Sequence, residues 1–146
     1  MTQYTLETTV RRPYDETVEA VRAELATAGF GILSEIDLKA TLKAKLDVDV
    51  GPQVILGACR PQLAHQALQA DPSIAALLPC NVVVRALDDT TTVVEAFDPD
   101  AMMSLAGHAG HAGHAGHAGH AGDALRAVAT DARQRLTAAM AALENN

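Results

Sequence analysis

The stretch CNVVVRALDDTTTVVEAFD, residues 80–98, most narrows the folds open to this chain. Two runs rich in β-branched residues flank a three-residue polar link, Asp88-Asp89-Thr90. Valine, threonine and phenylalanine favour strands, and aspartate favours turns. So short a link returns the chain beside itself and makes the two runs antiparallel neighbours. Such a sheet has an apolar face that another layer must cover.

The remaining segments supply that layer. Tyr4, Leu6, Thr8 and Val10 alternate with polar neighbours, which predicts a first strand. RPYDETVEAVRAELATAG predicts a helix. Pro13 suits its start, and Asp15 and Glu16 suit the positive end of its dipole. Val18, Val21 and Leu25 form its buried stripe, and Gly29 is positioned to end it. FGILSEID predicts a second strand with Phe30, Ile32, Ser34 and Ile36 on one face. LKATLKAKL predicts a short helix with Leu38, Leu42 and Leu46 in a stripe. QVILGAC predicts a third strand, and Pro61 opens a helix with Leu63, Ala67 and Leu68 inward. Asp71-Pro72 ends that helix, and SIAALL adds one helical turn. Asp123 is the expected cap of a last helix whose stripe runs through Leu125, Val128, Ala132, Leu136, Met140 and Leu143.

The expected fold is therefore a two-layer α+β fold. A mostly antiparallel five-stranded sheet carries helices on one face, in the order β-α-β4-α with short helical inserts. One domain, residues 1–146, accommodates it. The chain has no Trp, two Phe and two Tyr. Its core must rest on Val, Leu and Ile, each worth ~1.5–3 kcal/mol when fully buried.

Residues 107–121 stand apart from this pattern. They are five copies of Gly-His-Ala and hold five of the six histidines. A glycine at every third position costs ~1 kcal/mol each relative to alanine in a helix interior. The expectation is a flexible loop over 107–121. Neutral imidazole suits Ni²⁺, Cu²⁺, Zn²⁺ and Co²⁺. In an extended chain rising ~3.1 Å per residue, successive histidines stand ~9 Å apart. Glycine lets such a chain bend, so an ion can gather two to four of His108, His111, His114, His117 and His120. Ordering a loose loop costs entropy, which suits storage, buffering or delivery of a metal better than catalysis.

The formal charge of −7 opposes a nucleic-acid partner, and the densest basic spot is only Arg11-Arg12. No apolar run is long enough to span a membrane, at ~20 residues. The N-terminus lacks the apolar core of a secretory signal, so the expected compartment is the cytoplasm, with both cysteines reduced. Cys59 ends a strand just before Pro61, and Cys80 begins the next strand after Pro79. Both can therefore meet at one edge of the sheet. There they would form a redox pair, handle sulfur, or bind a soft ion with His65, the lone histidine outside the repeat. The plainer alternative is two buried small hydrophobes. No phosphate loop, dinucleotide fingerprint, nucleophile elbow or zinc-protease motif is present, and no acid/base pair stands out, so the sequence gives no ground for an enzyme.

Three stretches taken together, GFGILSEIDLKATLKAKL, VILGACRPQLAHQAL and LLPCNVVV, followed by DPDAMM, resemble the domain-of-unknown-function family numbered 302. The resemblance covers nearly the whole chain apart from the repeat. It implies a TATA-binding-protein-like β-α-β4-α fold and a homodimer. It implies little about activity. The family pattern has Asn where this chain has Arg60, and the Gly-His-Ala repeat is an addition to it. Metal binding by the repeat is the leading expectation. A thiol protein using Cys59 and Cys80, or a non-catalytic dimeric scaffold, is the alternative.

Overall fold

A computed structural model describes the backbone of residues 4–110 and 118–145. Its elements run β1 (Thr5–Val10), α1 (Tyr14–Thr27), β2 (Gly31–Asp37), α2 (Leu38–Leu46), β3 (Gln53–Cys59) and α3 (Pro61–Ala70). A 3₁₀ turn over Pro72–Leu77 follows, then β4 (Cys80–Ala86), β5 (Thr92–Phe97), α4 (Pro99–Gly110) and α5 (Ala118–Asn145). The strands form one antiparallel sheet in the order β1-β5-β4-β3-β2. The two-layer α+β architecture expected from the sequence is therefore the one observed.

The hairpin at 80–98 explains the sheet's centre. Leu87 N–H donates to Thr91 O, and Asp88 accepts from Thr90 N–H, so the turn closes over the polar link. Val82 then opposes Ala96 and Val84 opposes Val94. Across the sheet, Val54, Leu56 and Ala58 of β3 join them on the same face. Helix α1 covers that face with Val21 and Leu25, and α5 covers it with Leu136, Met140 and Leu143. A second cluster forms where α3, α4 and the first half of α5 meet, around Leu63, Ile74, Met102, Leu125 and Val128.

The end of α1 follows from Gly29, whose φ of +94° is costly for any side chain. There the Gly29 N–H reaches Ala26 O and the Phe30 N–H reaches Leu25 O, so the last carbonyls are satisfied. Phe30 then turns into the core.

Four expectations are corrected. First, β2 does not keep one face. Its register shifts between Ile32 and Ser34, so Ile32 opposes Ala58 on the helix side while Ser34 and Ile36 face away. Second, the α2 leucines form no buried stripe: none of its residues is buried, and Leu46 is 66% exposed. Third, Asp98-Pro99-Asp100, whose two aspartates around a proline predict a turn, is a helix start. Asp98 accepts from the Asp100 N–H, and Pro99 is the first helical residue. Fourth, α5 begins at Ala118, so Asp123 lies inside it and pairs with Arg126 instead of capping.

Helix thus enters the repeat from both sides, through Gly110 and from Ala118. The expected loop at 107–121 is helical at its two ends, and residues 111–117 lie outside the described residues.

Candidate functional site

The repeat histidines divide accordingly. His108 belongs to the backbone of α4 and His120 to that of α5. His111, His114 and His117 lie outside the described residues. His65 sits on α3, exposed, on the side away from the buried Leu63 and Ala67. Among the described residues no group of three or more His, Cys, Asp or Glu could hold a metal ion.

The two cysteines occupy neighbouring strands in the body of the sheet, not an edge. Cys80 opposes Ala58, so it shares the helix-covered face and is buried. Cys59 is the next residue along β3, and successive strand residues point to opposite faces. The pair is close in the fold but splits across the sheet, and both thiols are free. His65 does not join them in a metal-binding group.

Electrostatics run against a nucleophilic thiol. Burial raises Cys59, and burial with the neighbouring Cys59 pushes Cys80 up to about 11. A reactive thiol needs its pKa lowered, by a cation or a helix N-terminus. We expect iodoacetamide at pH 7.5 to leave Cys80 unmodified in the folded protein and to label it on unfolding. The same shift sets a pH dependence. A thiol raised in the folded state keeps its full stabilising effect below the unfolded value, ~8.5, and loses it as pH rises toward the folded one. Thermal stability should therefore fall above pH ~9, less so in Cys80→Ala. Rapid labelling of Cys80 in the native state would contradict its burial.

Arg60 has a defined place. Its guanidinium lies 3.6 Å from Asp131 on α5. Asp131 is also bound by Arg135, whose other end donates to Ala28 O at 2.8 Å. One carboxylate thus ties the start of α3 and the end of α1 to the middle of α5. No local motif announces this link, because the three segments are far apart in sequence.

The opposite face of the sheet carries a second pair that sequence reasoning missed. Arg85 of β4 binds Glu95 of β5, which also accepts from Thr5 at 2.9 Å. The arginine beside it holds the Glu95 carboxyl below the usual range. Counting residues outward from the Asp88–Thr90 turn would have brought the two together. A cleft of ≈ 230 Å³ opens between Ala76–Pro79, Asn81 and Phe97. It contains no titratable side chain and so offers no acid/base chemistry.

Comparison with known proteins agrees with the fold. A crystal structure titled as an uncharacterized conserved DUF302 protein from Bacillus stearothermophilus superposes with a TM-score of 0.78. It is 26% identical, over 98% of this chain and 100% of that one. No curated protein matches. No helix among the described residues is long and apolar enough to cross a membrane. The family model described as "Domain of unknown function DUF302" matches residues 6–143, and with that span matched the chain belongs to the DUF302 family.

Proposed function

We propose that this DUF302 protein binds a divalent transition metal ion, nickel, copper, zinc or cobalt, through its Gly-His-Ala repeat. The observation that carries this reading is the density of imidazoles, five within residues 107–121 at a three-residue period. His108, His111, His114, His117 and His120 act as interchangeable ligands. Helices α4 and α5, which flank the repeat, pack together around Met102, Leu125 and Val128. A segment strung between two packed helices has its ends held near each other, which lowers the entropy of gathering ligands from both sides. The role is storage, buffering or delivery in the cytoplasm. The protein acts as a homodimer, as its family resemblance implies.

Protons compete with the metal for the same nitrogens. At pH 5.5, one unit below the ordinary imidazole pKa of ~6.5, only about a tenth of each histidine is neutral. The test is calorimetric titration of Ni²⁺ at pH 7.5 and 5.5 into the wild-type chain and a variant with all five repeat histidines changed to alanine. Alanine preserves the helical ends of the repeat. We expect binding at pH 7.5, strong weakening at pH 5.5 and no binding by the five-fold variant. A single substitution such as His114→Ala should weaken binding only a few-fold. Undiminished binding by the five-fold variant would refute the reading.

A further inference from the structure

Two arginines from distant parts of the chain share one carboxylate beside Gly29. Arg60 immediately precedes α3, Arg135 lies on α5, and Asp131 pairs with both. The position that a β-carbon would take on Gly29 is 3.1 Å from Arg60 Nε and 3.4 Å from Arg135 Nη1. Both guanidinium groups therefore close on one point. Gly29 is exposed, so that point is open to solvent.

Charge sets this cluster apart. Among the described residues, the other arginine ion pairs set a single arginine against one or two carboxylates. Arg22 meets Glu35, Arg85 meets Glu95, Arg126 meets Asp123, and Arg133 meets Asp98 and Asp100. Beside Gly29 two cations contact one anion, which leaves positive charge in excess on a chain whose net charge is −7.

Hydrogen bonding points the same way. Arg135 gives Nε to Asp131 and Nη1 to Ala28 O. Arg60 reaches Asp131 only at 3.6 Å, outside the ~2.7–3.2 Å of an N–H···O bond. Its donors meet no other acceptor among the described residues, although only 22% of the side chain is exposed. A guanidinium is weakly hydrated and presents its donors as a fork that matches an oxyanion. The two forks arrive from different elements and flank the point over Gly29. That arrangement suits oxygens pointing in several directions, as on a tetrahedral phosphoryl group, better than the planar pair of a second carboxylate.

We propose that Arg60 and Arg135 bind a phosphoryl oxyanion beside Gly29, either inorganic phosphate or the terminal phosphate of a small monoester. Asp131 positions the two arginines and competes with the ligand for them. That competition weakens binding, and it supplies a signature that a purely structural ion pair lacks. Removing the carboxylate strengthens binding.

The test is a titration of inorganic phosphate into the isotope-labelled full chain, followed through backbone amide resonances at pH 8 in EDTA. At that pH only about 3% of an ordinary imidazole is charged, so the repeat does not compete for the anion. Sodium chloride holds the ionic strength constant. We expect saturable shifts centred on Gly29, Arg60 and Arg135, in the millimolar range. Binding should be at least tenfold weaker in Arg60→Gln and at least threefold tighter in Asp131→Asn. The same spectra show whether each variant is folded, and Asp131→Asn decides alone if Arg60→Gln is not. Methyl phosphate separates the two sources. Binding equal to that of phosphate assigns the site to monoesters, and exclusion assigns it to the free ion. Shifts that never saturate, binding unchanged by Arg60→Gln, or binding weakened by Asp131→Asn would overturn the proposal.

Discussion

Leu136→Ala should cost about 4 kcal/mol of folding stability. Leu136 is 1% exposed and lies where α5 meets both α1 and the sheet. Replacing a buried leucine by alanine loses its transfer free energy and leaves a cavity, ~2–5 kcal/mol in all. The upper part of that range applies because packing at this point is already incomplete. A partly open gap of ≈ 10 Å³ lies beside Val21, Glu24, Leu25, Val82, Leu136 and Met140. Truncating Leu136 enlarges an existing gap, and the β-branched Val21, Val82 and Val94 beside it have little rotamer freedom with which to close it. Domains of this kind are stable by only ~5–15 kcal/mol. With a urea slope of ~2 kcal/mol/M, the midpoint should drop by about 2 M. Leu136→Met, which nearly conserves volume, should cost under ~1.5 kcal/mol. A Leu136→Ala midpoint no lower than that of Leu105→Ala, at an exposed site, would show that α5 is not bound through this contact.

That Leu136 matters could be read in advance, because the α5 stripe repeats every three to four residues over six positions. The central hairpin was equally legible. Alternation on either side of Asp88-Asp89-Thr90 defines both the strands and their pairing. What escaped the sequence depends on partners distant along the chain. The shift at Leu33 that turns Ser34 and Ile36 to the face opposite the helices is set by pairing with β3. The α2 leucines have a helical period, but no layer lies over them to bury the stripe. Asp98-Pro99-Asp100 can open either a turn or a helix. Met102, buried in the second cluster, favours the helix. The same packing against α5 offsets the glycine cost as α4 continues to Gly110. The candidate metal ligands were legible as composition alone. The thiols were legible as strand termini, but their separation onto opposite faces needed the register.

Gly57→Ala tests the tightest contact on the face opposite the helices, and it should cost about 2 kcal/mol. Gly57 lies in β3 between Ser34 of β2 and Asn81 of β4. A Cβ built there would collide with Ser34 Oγ and stand 2.8 Å from Pro79 Cγ. Glycine inside a strand often marks such a close approach. The backbone there is ordinary extended strand, so the penalty is steric and not conformational. Its two parts differ. The Ser34 hydroxyl can rotate aside, while the Pro79 ring is fixed against its own backbone. Overpacking of this kind costs ~1–3 kcal/mol. In the background Ser34→Ala, the collision with Oγ disappears and only the proline contact remains. Gly57→Ala should then cost roughly half as much, which gives a coupling of about 1 kcal/mol between positions 34 and 57 in a double-mutant cycle. Additive losses would mean that Ser34 yields freely and Pro79 alone sets the limit. No loss at all would mean that β2 and the Pro79 segment can both retreat from β3. The register shift in β2 would then be a flexible joint, not a fixed feature of the sheet.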